Sequence, residues 1–184
     1  MGRISLNRIN AILLSILLWG IWFIFFILKN NKKKNKKDLL KIIFLRLMLF
    51  IYIGFIVGLT LFPILIPAQK ILEEIYINLN IFNLFEYGLN KIALVNILGN
   101  LLLFTPLIIL ISLNNYKIFD KLHKALLFGI ILSLTIEFMQ YIEIYFGFAH
   151  RAIDINDVIL NTLGAIIGFV ISRKVVYKFS HNDL

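Results

Sequence analysis

INAILLSILLWGIWFIFFIL, residues 9–28, decides the fold. The run has the length of about 20 residues that an α-helix needs to cross a hydrocarbon core, and it contains no ionisable side chain. Arg3 and Arg8 precede it, as they would in a secretory signal. No small-x-small cleavage pattern follows, however, and a lysine block closes it, so it reads as a retained transmembrane helix. Four further runs have similar length and character: Ile42 to Ile66, Val95 to Leu113, Ala125 to Tyr145 and Val158 to Val176. Apolar and polar positions do not alternate in them, so they are helices and not barrel strands. The expected fold is an all-α, polytopic membrane bundle of about five transmembrane helices, formed by a single membrane domain over residues 1–184.

Composition agrees with this. The 184 residues are 60% hydrophobic and 16% charged, which no water-soluble core of this size would accommodate. The net charge of +9 falls in blocks between the apolar runs and therefore reads as topology signal and lipid contact, with no nucleic acid as partner. Lys29, Lys32, Lys33, Lys34, Lys36, Lys37 and Lys41 lie after the first run; Lys117, Lys121 and Lys124 after the third; Arg173, Lys174 and Lys178 after the fifth. The positive-inside rule puts these three segments in the cytoplasm, with the N-terminus outside and the C-terminus inside. The segment from Lys70 to Asn90 is too polar to span and reads as an outward-facing amphipathic or re-entrant piece. With no cysteine, disulfides, thiolate metal sites and cysteine nucleophiles are excluded.

Function is sought where the apolar runs are interrupted. Asn96 and Asn100 lie four apart and share a helix face, with Pro106 further along; Glu137 and Gln140 lie three apart on the fourth span. Arg151, Asp154, Asp157 and Asn161 follow, the last three at helical spacing. At 1.5 Å per residue, Glu137, Asn100 and Asn161 lie roughly 12, 8 and 5 Å inside the same membrane face, so three helices contribute to one polar layer.

Plainer roles exist for several of these residues. Asp154 and Asp157 have the spacing of a helix cap followed by an acidic third position, and the asparagines suit interhelical hydrogen bonds. Gly164 and Gly168 read as a packing seam, and His123 and His150 as loop histidines. Glu137 is harder to explain this way, because a charged acid at a helix centre costs about 2.5–3.5 kcal/mol on insertion scales. It calls for a partner, with Arg151 the nearest candidate, or for a protonated state suited to acid–base work.

Asn96-Ile97-Leu98-Gly99-Asn100-Leu101-Leu102-Leu103-Phe104-Thr105-Pro106-Leu107, then Ile136-Glu137 with Gln140, then Arg151, Asp154, Asp157 and Asn161-Thr162-Leu163-Gly164 resemble the VanZ-like family of small bacterial membrane proteins. Thr60-Leu61-Phe62-Pro63 is a weaker match, and the resemblance covers roughly residues 60–168. The family's Asn-Leu-Ile-Pro-Phe stretch appears here as Asn83-Leu84-Phe85-Glu86-Tyr87, without the proline. The resemblance implies a bacterial cell-envelope protein linked to resistance to teicoplanin-type glycopeptides, and it groups the chain with membrane proteins proposed to act on lipid head groups.

In the enzyme reading, Glu137 is general acid or base, and Arg151 clamps phosphate. Asp154 and Asp157 bind a divalent metal ion or supply a second carboxylate. Asn96, Asn100, Gln140 and Asn161 orient a lipid or lipid-linked precursor. The alternative is a non-catalytic protein that binds lipid or a partner and alters envelope composition or drug access.

Overall fold

The structure, a computed structural model of the chain, describes residues 4–29, 36–66, 68, 75–81 and 91–181. Five long helices dominate: α1 (Arg8–Lys29), α2 (Lys36–Thr60), α3 (Lys91–Asn114), α4 (Leu122–Tyr145) and α5 (Ile155–His181). Each contains a stretch long and apolar enough to cross a membrane, so the protein is a multi-pass helical membrane protein. Leu13, Leu14 and Leu17 on α1 are each 58% exposed, and Leu102 on α3 likewise, which is the apolar surface a bilayer covers. No helix is strongly amphipathic, because solvation by lipid removes the need for a polar outer face.

α5 is the most enclosed helix and α1 the least. The most extensive packing is between α3 and α5; α4 lies along α5, α2 along α3, and α1 chiefly along α2. Small residues allow the close approach. A Cβ at Gly164 would run into the Leu101 carbonyl, one at Gly168 would lie 2.6 Å from the Thr105 carbonyl oxygen, and one at Gly129 would lie 2.8 Å from Ala165. The expected packing seam is therefore present, with α5 at its centre. Phe104 and Ile108 of α3 and Ala125 of α4 are fully enclosed beside Ala165.

Pro106 lies inside α3 and has no N–H to offer the carbonyl of Leu102, four residues earlier. In lipid that carbonyl needs another donor. Tyr52 of α2 supplies it, its hydroxyl lying 2.9 Å from the Leu102 oxygen and 3.2 Å from that of Leu103. A side chain on a neighbouring helix thus repairs the break and fixes α2 against α3.

One boundary differs notably from expectation. α2 ends at Thr60, short of the expected Ile66. Pro63 explains the stop, since its ring disfavours helical geometry at the preceding residue and it cannot donate to the ladder. Ile64–Ile66 leaves as a short strand, β2, pairing antiparallel with β1 (Ile4–Leu6). The segment expected to be interfacial, residues 70–90, lies mostly outside the described residues. Its described part includes β3 (Ile77–Asn78), which pairs in parallel with β4 (Ile153–Asp154) just before α5.

A polar cluster at one end of the bundle

The cluster is assembled by the way α4 ends. At Gly147 the backbone takes φ 75°, a left-handed conformation that favours glycine. The Phe148 N–H then reaches the Glu143 carbonyl at 2.7 Å and the Gly147 N–H that of Ile144 at 2.9 Å, which are the two bonds of a Schellman motif. The chain turns back over the bundle. The Leu65 N–H holds it to the Phe148 carbonyl at 2.8 Å, and the Ile153 N–H donates to the Tyr76 carbonyl at 3.1 Å.

Arg151 lies on this returning segment. Its guanidinium donates to the carbonyl of Thr60, the last residue of α2, and the Gln140 side-chain amide donates to the same oxygen at 2.8 Å. A helix C-terminus leaves carbonyls unpaired and carries partial negative charge, so a cation and an amide are suitable caps. Arg151 does not form the expected ion pair with Glu137, although the two are within electrostatic range. Among the described residues the guanidinium makes this one hydrogen bond, so further N–H donors are left for other acceptors.

α5 begins with the expected cap. The Asp154 Oδ1 accepts from the backbone N–H of Asn156 at 2.9 Å and from the Asn156 side chain at 2.8 Å, while that side chain also donates to the Asn80 carbonyl at 3.1 Å. Asp154 is therefore first a helix cap, and buried Asn156 fastens the strand segment to it. Asp157, one turn on, accepts a 2.6 Å hydrogen bond from the Asn100 amide of α3.

Glu137 occupies the centre. It is 8% exposed, the backbone N–H of Asp154 lies beside its carboxylate, and Asp154, Asp157 and Arg151 all act on it electrostatically. Its Oε2 is buried without a hydrogen-bond partner. An unpaired buried carboxylate oxygen is costly, so it marks a position where a proton or a ligand donor belongs.

Two of the eight residues named from the sequence stand apart. Asn96 is exposed and makes no hydrogen bond to the cluster. Asn161 is 2% exposed and donates to Ser133 of α4 at 2.9 Å, one turn deeper than the acids on both helices; it ties α4 to α5. The structure also adds residues that the sequence reading passed over. The Thr60 carbonyl gathers Arg151 and Gln140, and Glu143 has a buried, unpartnered Oε2 within electrostatic range of Arg151. Glu143, three residues beyond Gln140, shares its helix face, and that spacing is the signal for it in the sequence. A backbone carbonyl has no sequence signal.

As a possible metal centre the cluster is a poor fit. One oxygen each of Asp154 and Asp157 is already engaged, and among the described residues no group of three or more His, Asp or Glu is arranged to hold a metal ion.

Fold and cluster together define a multi-pass helical membrane protein with a group of acids, Glu137 buried and the others half-buried, and a guanidinium at one end of the bundle. Residues 49–177 match the VanZ/LLP1 family, and the chain belongs to it. The matched region begins within α2, so α1 lies outside it, and it is wider than the expected 60–168. No curated protein and no solved structure matches the chain.

Proposed function

We propose that the chain is an enzyme of the bacterial cell envelope that hydrolyses or exchanges head groups on outer-leaflet lipids or lipid-linked precursors. The observation that carries this reading is the Glu137 Oε2, buried without a partner among Asp154, Asp157 and Arg151. Ion pairs that only hold helices together use up their hydrogen-bonding capacity, because lipid supplies no substitute. This carboxylate keeps one oxygen free. Glu137 and Asp157 serve as the proton carriers, Asn100 holds Asp157 in place, and the free N–H groups of Arg151 contact phosphate. The distribution of lysines supports an outer-leaflet position, since the basic segments lie at the opposite ends of the helices. A link to glycopeptide resistance would follow from an altered envelope surface.

The test is turnover by purified, folded Glu137→Gln and Asp157→Asn variants on a panel of envelope lipids. Loss of turnover by about 100-fold or more in each is expected. Full activity in both would refute the mechanism.

A second reading, non-catalytic binding of a lipid or partner, is favoured by the ties Asn100–Asp157, Gln140–Thr60 and Arg151–Thr60, all of which join separate segments. On that reading conservative changes at Glu137 or Asp154 lower stability and phenotype together, and no lipid product differs between cells with and without the protein.

A further inference from the structure

The charge and hydrogen-bond inventory of the cluster indicates what kind of head group it fits. Glu137 lies within electrostatic range of Asp154, Asp157 and the Arg151 guanidinium, Glu143 lies within range of the same guanidinium, and that guanidinium already donates to the Thr60 carbonyl. The Oδ1 atoms of Asp154 and Asp157 have donors. The Glu137 Oε2 and Glu143 Oε2 do not, and both are buried. Glu137 is more than nine-tenths enclosed, so water has little access to it. What these two oxygens lack is a hydrogen-bond donor. A head group carrying only negative charge would enter an acidic surrounding and leave both oxygens unpaired.

We infer that the site takes a lipid head group bearing a primary ammonium beside a phosphodiester, with the ammonium on the free carboxylate oxygen of Glu137. This inference rests on the lipid reading above and narrows its substrate class. A primary ammonium supplies three N–H donors and a countercharge, and Glu143 adds to the attraction. The phosphodiester takes the remaining N–H groups of Arg151. Asp157, held by Asn100, stays clear of the ammonium and takes part only in proton transfer, whereas Glu137 both binds and takes part. The source of the ammonium is a membrane lipid. The cluster lies at the ends of membrane-spanning helices, and Tyr141, Tyr145, Phe146 and Phe148 form a chain of ring contacts at the same end of α4, with centroids 5.2 to 6.4 Å apart. Aromatic rings of this kind settle at the level of lipid head groups.

The rings also make the alternative explicit, because aromatic faces attract quaternary ammonium without hydrogen bonds. The experiment is binding of matched-chain phosphatidylethanolamine, phosphatidylcholine and phosphatidylglycerol to the full-length protein in detergent, followed by native mass spectrometry. Phosphatidylethanolamine is expected to bind at least about tenfold more tightly than either of the others. Glu137→Gln should abolish that preference, and Glu143→Gln should reduce it. Equal or tighter binding of phosphatidylglycerol, or equal binding of phosphatidylcholine, overturns the inference from the wild type alone, whether or not a variant folds. Water-soluble glycerophosphoethanolamine should bind roughly 100-fold more weakly for want of acyl chains; equal affinity would overturn the lipid source. In turnover, Glu137→Gln should raise KM as well as lower kcat, whereas Asp157→Asn should lower kcat with KM little changed. Turnover indifferent to the amine removes this inference and leaves the catalytic reading standing, whereas amine-selective binding without turnover does the reverse.

Discussion

Two acids, one at each end of the same helix pair, are placed in opposite circumstances. Asp120, between α3 and α4, binds Lys124 at 2.7 Å, and this hydrogen bond holds its carboxyl below the ordinary carboxylate value. Near the far end of α4, Glu137 is buried with one oxygen unpartnered. The side chain of the first acid keeps 45% of its surface exposed, so although its Oδ1 is itself enclosed against Lys124, the pair adds little stability and its position is cheap to maintain. The second has its position at a cost that the fold does not relieve internally. On the proposed function, charge in this bundle is structural where it is paired and accessible, and functional where the whole side chain is buried and incomplete.

The comparison can be sharpened from either end. Its largest expected effect is the loss of turnover by about 100-fold or more in Glu137→Gln or Asp157→Asn, with thermal stability kept or raised, because removing an incompletely satisfied charge relieves the fold. Unchanged turnover in both would erase the contrast. Next comes the packing that brings the acids together: Gly168→Ala sets a methyl against the Thr105 carbonyl and should destabilise the protein by about 1–3 kcal/mol, measured by unfolding in mixed micelles. Tyr52→Phe leaves the Leu102 carbonyl freed by Pro106 without a donor, for a loss of about 1–2 kcal/mol. Leu-for-Pro106 in the same background should recover much of it by restoring the helix bond.

The smallest effect belongs to Asp120. Its carboxyl is lowered in the folded state, so its contribution is present above the ordinary carboxylate value of 3.8 and is lost as pH falls through the lowered one. Asp120→Asn should therefore leave melting unchanged at neutral pH within a small margin and slightly flatten the acid side of a stability–pH curve. A large neutral-pH loss would mean that the paired end is not the inexpensive one.

The helices were legible because lipid imposes one length and one composition on every span. The end of α2 was legible too, through Pro63, but a continuous apolar run to Ile66 masked it. Glu137 and Asn100 stand out in the sequence because polar groups are expensive in apolar runs. Their connections were less accessible. Arg151 pairs with a backbone carbonyl, which any residue at position 60 would offer, and not with the acid that charge alone suggests. Asn96 shares a helix face with Asn100, but one turn is enough to carry it beyond the reach of α5. Asn161 turned out to bond Ser133, an ordinary membrane-helix residue with no charge to announce it. The pairing of Tyr52 with Leu102 is set by a proline on another helix, so neither local pattern contains it.

The central claim is that the incomplete acid at Glu137 acts on envelope lipids, and the most direct measurement compares lipids and peptidoglycan precursors from cells producing the wild-type chain or its Glu137→Gln variant at equal membrane abundance. The account predicts that one head-group class changes in abundance with the wild type and stays at the level of cells lacking the protein with the variant. Indistinguishable lipid and precursor profiles in all three would contradict it.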